Sequence, residues 1–203
     1  MKRRIIDVSR LPPHAFGHAD PLWWTMLLLA FVEGTMLVLL AVAYYYVSQN
    51  VSPWPPTLAP RWIAWVGTLD LGLLIASVPP VHLASLAARR EDLSRIRLWL
   101  VVVVVLSLGA VVCRWIVFAN LPFRWDTDVY GSVVWTILGI QTAHLITGIL
   151  ENAFFVALLV RGPVESKHLV DVDVSTILWD FVVVGALLVW VVVYLEIFTG
   201  GTW

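Results

Sequence analysis

Five long apolar runs, each closed by charged or proline-containing turns, take up most of the chain, at about 22–47, 62–87, 96–118, 132–160 and 175–198. A helix needs roughly 20 apolar residues to cross a hydrocarbon core of about 30 Å, and every run meets that length. VVVVVLSLGAVV and FVVVGALLVWVVVYL are apolar throughout rather than alternating, so the runs predict helices and not barrel strands. Valine lowers helix propensity in water. In hydrocarbon the backbone must satisfy its own hydrogen bonds, and within one segment only a helix does so. The predicted fold is therefore all-α: an N-terminal arm over about 1–21, one five-helix transmembrane domain over about 22–198 and a short tail over about 199–203.

Composition agrees with a lipid-embedded chain. Of 203 residues, 60% are hydrophobic and 13% charged, and the mean hydropathy of +0.87 excludes a water-soluble domain. The loop cations are unevenly shared. Lys2, Arg3, Arg4 and Arg10 lie in the arm, Arg89, Arg90, Arg95 and Arg97 around the second turn, and Arg161 and Lys167 in the fourth; the remaining turns hold only Arg61 and Arg124. By the positive-inside rule the N-terminus is expected in the cytoplasm and the C-terminus outside. The arm is not read as a secretory leader, because Pro12, Pro13, His14 and Asp20 intervene before an apolar run too long for one. Trp23, Trp24, Trp62, Trp99 and Trp203 fall near the predicted interfaces, where indole rings anchor a helix at headgroup depth.

Several chemistries are not expected. A single thiol, Cys113, forms no intrachain disulfide and no CxxC redox or metal site. A net charge of −1 with no basic domain argues against nucleic acid as a partner. There is no glycine-rich phosphate loop, no GxSxG and no internal repeat. Bis-histidine haem ligation needs two imidazoles at one depth, whereas His144 is central, His82 is nearer a span end, and His14, His18 and His168 are extramembrane. His14 and His18 are not expected to bind metal, since Pro12, Pro13 and Gly17 oppose the helix that would align them.

Ionisable residues at membrane depth are the informative ones, because each costs roughly 3 kcal/mol or more unless it has a partner or a wet cavity. They are Glu33, Asp70, Arg114, His144, Glu151 and Asp180, with His82 and Glu196 nearer the ends. Gln141, His144, Gly148 and Glu151 recur at helical spacing and predict one inward face of the fourth span, where Gly148 admits a close neighbour. Glu33 and His144 are expected at similar depth, either as a proton-handling or headgroup site or as a contact that fixes packing. Asp70 and Arg114 can neutralise one another across adjacent helices, or Arg114 can snorkel outward. Asp180 and Glu196 read as interfacial carboxylates or as functional ones. Arg89, Arg90, Arg95 and Arg97 read as contacts for anionic headgroups or as orientation signals alone.

Two stretches carry a family resemblance. WDTDVYGSVVWTILGIQTAHLITG resembles the opening of the penultimate helix in subunit III of the haem-copper terminal oxidases, where an acidic turn, Tyr-Gly-Ser and a Gly-x-His-x-x-His-x-x-x-Gly pattern recur. WWTMLLLAFVEGTMLVLLAVAYYY followed by WPP resembles that family's helix with a buried, carbodiimide-reactive glutamate. Glu33 matches that glutamate and His144 the second histidine; Gln141 stands where the first would be. At 178–183, LWDFVV replaces a Tyr-Trp-His-Phe-Val-Asp signature, with Asp180 for His and Val183 for Asp.

The resemblance implies the short, five-helix bacterial form of this subunit in the cytoplasmic (inner) membrane. It implies an accessory, non-catalytic chain that packs on catalytic subunit I, alongside subunit II and other respiratory subunits, binds phospholipid and supports proton uptake and enzyme durability. Haem and copper are then expected in the partner subunits and no cofactor in this chain. Two other readings stay open: a similar accessory protein of a nitric oxide reductase, and a stand-alone transporter, for which a helix broken at Pro79 and Pro80 is the one hint.

Overall fold

The computed structural model describes residues 16–162 and 168–200. The basic arm with Lys2, Arg3, Arg4 and Arg10, along with His14, Lys167 and Trp203, lies outside the described residues. Five helices long and apolar enough to cross a membrane account for nearly all of the rest: α1 Pro21–Asn50, α2 Arg61–Ala88, α3 Leu93–Asn120, α4 Val129–Arg161 and α5 Leu169–Thr199. The described residues contain no strand. A short 3₁₀ turn, Gly17–Ala19, precedes α1.

Local chemistry sets where the helices begin. Asp20 accepts from the backbone N–H of Leu22 at 2.7 Å, with Pro21 in the first turn, and Asp92 accepts from that of Arg95 at 3.1 Å. Asp128 accepts from that of Gly131 at 2.6 Å. Each carboxylate satisfies an N–H that the first helical turn leaves without a partner. At 28 to 33 residues the helices outreach the hydrocarbon core, so their ends emerge among headgroups. α2 continues unbroken through Pro79 and Pro80, and the helix break sought in a transporter reading is not found there.

α5 is the hub of the bundle. It packs against α1, α2 and α4, while α3 packs against α2 and α4. α1 is peripheral, with only Leu37 and Tyr44 buried. The apolar core runs the length of the bundle in three clusters: Tyr44, Tyr130 and Val193 at the end of the α1–α2 loop, Leu74, Leu145 and Trp179 in the middle, and Ala88, Leu100 and Val172 at the end of the α2–α3 turn. α5 also starts earlier than the pattern predicts, at Leu169 rather than 175. Asp171 and Asp173 make that segment look like a loop, yet Asp173 is buried by specific partners described below.

Near its far end α5 widens into a π-helical turn at Trp190–Tyr194. The turn brings the Tyr194 ring against Gly67, where a Cβ would overlap it, and Trp190 Nε1 donates to Thr68 Oγ1 at 2.9 Å. α2 and α5 are thereby joined by one close approach and one hydrogen bond.

Candidate functional site

Glu33 on α1 and His144 on α4 meet, Oε2 to Nε2, at 3.3 Å. Phe181 of α5 stands edge-on to the imidazole with ring centroids 5.1 Å apart. Gly34 faces the same phenylalanine, so α1 comes close to α5 beside the polar pair. The pair borders a cleft of about 530 Å³ that also includes Met26, Leu29 and Glu151. An adjoining space of about 330 Å³ shares Met26, Leu29 and Glu151 and reaches Asp171, and a third of about 580 Å³ shares Asp171 and ends at Arg161 and His168. Together they form a trough from the α4–α5 end of the bundle to the depth of Glu33, with apolar walls and carboxylates spaced along it.

The polar stripe on α4 divides between two directions. His144 and Glu151 face the trough. Gln141, fully buried, turns to α5 and donates from Nε2 to the Val182 carbonyl at 2.8 Å. Gly148 also faces α5, where the Trp179 indole lies 3.0 Å from the place a Cβ would take. Helical spacing put all four on one face, but α4 packs against α1, α3 and α5, and the face carrying these residues is shared between α1 and α5.

A second polar centre lies between α2 and α3. Arg114 Nε donates to Asp70 Oδ2 at 3.0 Å, and Nη2 donates to the same oxygen. Both side chains are 2% exposed, so Arg114 is turned into the bundle and does not snorkel. Arg114 Nη1, Asp70 Oδ1 and the Tyr194 hydroxyl are buried without a hydrogen-bond partner among the described residues. No group of three His, Cys, Asp or Glu side chains converges as a metal site among the described residues.

Comparison with known proteins adds to this geometry. No family model matches the chain. It is similar to the cytochrome c oxidase subunit 3 of Yarrowia lipolytica, 22% identical over 183 residues, which covers 85% of this chain and 66% of that protein. It is similar also to the subunit 3 of Synechocystis sp., 21% identical over 88% of this chain and 77% of the relative, and to that of Thermostichus vulcanus, 24% identical over 89% and 88%. The chain's relatives are cytochrome c oxidase subunit 3 proteins. The chain spans just under two thirds of the length of the Yarrowia lipolytica subunit 3.

Within the bundle, two carboxylates matter more than their sequence positions suggest. Glu196 reads as interfacial, yet it is 4% exposed. It accepts from the Tyr44 hydroxyl and, at 3.1 Å, from Trp54 Nε1, inside an aromatic cluster completed by Tyr130. The α1–α2 loop folds back to deliver Trp54, which no local pattern announces. Asp173, not singled out from the sequence, is 3% exposed and accepts from the Ser85 hydroxyl, from Arg89 Nε at 3.0 Å and from the Gly17 backbone N–H at 3.0 Å. Its signal was there: it lies seven residues, two helical turns, before Asp180.

The basic turn is accordingly less uniform than it reads. Arg89 is held by Asp173, Arg95 pairs with Asp92 at 3.1 Å, and Arg97 donates from Nη2 to the Leu159 carbonyl. Arg90 is exposed. Asp180, expected near a span end, lies instead eleven residues beyond the start of α5 at Leu169, because the helix begins earlier, and there it meets His82.

Proposed function

We propose that the chain serves as an accessory subunit III of a bacterial aerobic haem-copper oxidase. It packs on catalytic subunit I, with subunit II and other respiratory subunits alongside, and haem and copper reside in those partners. It sits in the inner membrane with the N-terminus in the cytoplasm, as the ten loop cations on that side favour. The observation that carries the reading is the Glu33–His144 contact at the deep end of a trough whose mouth holds Arg161. Apolar walls there suit an acyl chain and the guanidinium suits a phosphate. The carboxylates of Asp171 and Glu151, spaced between the mouth and Glu33, give water and protons a polar floor beside the lipid. In this role the chain supports proton uptake and the durability of the enzyme without carrying electrons.

Purification of the native complex tests the assignment. The chain is expected to accompany a haem-bearing oxidase subunit, and the chain alone to show no Soret band; a stoichiometric band in the isolated chain refutes the accessory role. A partner that reduces nitric oxide would move it to the related assembly. Within the oxidase, Glu33→Ala is expected to leave initial turnover near the unmodified rate while shortening active lifetime and lowering bound phospholipid. Immediate and complete loss of activity would instead place Glu33 in the chemistry.

A further inference from the structure

The trough leaves one polar contact unexplained. His82 Nε2 lies 3.1 Å from Asp180 Oδ1, joining α2 to α5, and the two side chains are 50% and 44% exposed. His82 precedes the end of α2 at Ala88 by six residues and Asp180 follows Leu169 by eleven, which the helical rise converts to about 9 and 16 Å from the helix ends. A 28-residue helix is about 42 Å long and overshoots a 30 Å core by roughly 6 Å on each side. The pair therefore sits inside the hydrocarbon, and it opens to the outside of the bundle. Asp70 and Arg114, by contrast, are enclosed.

The surface around the pair is apolar. On α5, Val184, Leu187 and Val191 continue the stripe that starts at Asp180, with exposures of 65%, 48% and 42%. On α2, Ile75 and Leu86 flank His82 one or two turns away and are each 51% exposed. α1 and α2 both pack on α5 but make no extensive contact with one another, so the stripe lies open between them. An acyl chain covers such a stripe but offers no hydrogen bond to the outward side of this half-exposed histidine–aspartate pair, and a lipid headgroup lies outside the core. A protein helix provides both an apolar face and a side-chain hydrogen bond, and an apolar seam with one polar contact is a recurring way for membrane helices to fix a partner.

We infer that the α2–α5 face centred on His82 and Asp180 is the docking seam for a transmembrane helix of the partner catalytic subunit, one that presents a hydroxyl or amide side chain to the pair. The inference rests on the proposed oxidase assembly. Its test uses the native complex with a benzophenone amino acid placed at Val184, His82 and Asp180 unchanged, and a control placement at Leu108 on the outer face of α3, which is 51% exposed. Photolysis is expected to join Val184 to the haem-bearing subunit and Leu108 to lipid. The combined variant His82→Leu, Asp180→Leu is expected to leave the complex at about tenfold lower retention in detergent. Adducts from Val184 to lipid alone or to a second copy of this chain, or partner adducts only from Leu108, overturn the seam while the chain remains in the complex. Absence of the chain from the purified oxidase would instead remove the assembly on which the inference rests.

Discussion

Breaking the Asp70–Arg114 pair one partner at a time should cost far more than removing both. With Arg114 Nε and Nη2 on Asp70 Oδ2 and both side chains 2% exposed, neither charge has water to fall back on. Arg114→Gln strands a buried carboxylate, and Asp70→Asn strands a guanidinium with one nitrogen already unpartnered. Loss of one partner of a buried pair costs about 3–5 kcal/mol, whereas apolar replacement of both is often close to neutral. For a chain of this size each kcal/mol moves the midpoint by about 2–4 °C, so each single variant should melt about 10 °C lower. The double variant Asp70→Leu, Arg114→Leu should melt near the parent. Thermal unfolding in detergent, followed by helical circular dichroism, of Asp70→Leu, Arg114→Leu and the two together supplies a cycle, in which the loss in the double variant is expected to fall far short of the sum of the two single losses. Additive single effects would show that the two groups do not depend on each other.

Two further outcomes follow from close approaches in the bundle. At Gly185 a Cβ would come 2.6 Å from Gln141 Oε1 and 3.0 Å from Leu37 Cδ1, so Gly185→Leu should destabilise the α1–α4–α5 junction by about 1–3 kcal/mol. Gly72→Leu, where a Cβ meets nothing within 4 Å, should melt close to the parent. Glu196→Ala removes the acceptor of both Tyr44 and Trp54 and should cost about 2–4 kcal/mol. Limited proteolysis across 51–60 should accelerate in that variant, and unchanged cleavage would mean that the carboxylate does not hold the loop.

Much of the architecture was legible because lipid imposes a simple rule on the sequence. A continuous apolar run must be a helix, and five such runs gave five helices. The positions of Asp70, Arg114, Glu33 and His144 stood out for the same reason: an ionisable group is conspicuous among valines and leucines. Asp173 did not, and the burial of Glu196 was not legible, since near a span end a carboxylate looks solvated whether or not it is. What buries them arrives from elsewhere in the chain: Ser85 from α2 and Arg89 just beyond its end, Tyr44 from α1 and Trp54 from a loop. Spacing along α4 likewise placed Gln141 and His144 on one side but not the two helices that divide it.

The wide turn at Trp190–Tyr194 has a consequence for the residues that follow it. A π turn holds one residue more than the α-helix around it, which advances the downstream side chains by roughly 100°. That change of phase lets Tyr194 look toward Gly67 on α2 while Glu196 looks toward Tyr44 on α1. An alignment of α5 with an uninterrupted helix, drawn without a one-residue gap here, pairs mismatched sides of the helix beyond Val189. Excising a single valine from the turn would rotate Glu196 away from its acceptor position while leaving the composition of the span almost untouched.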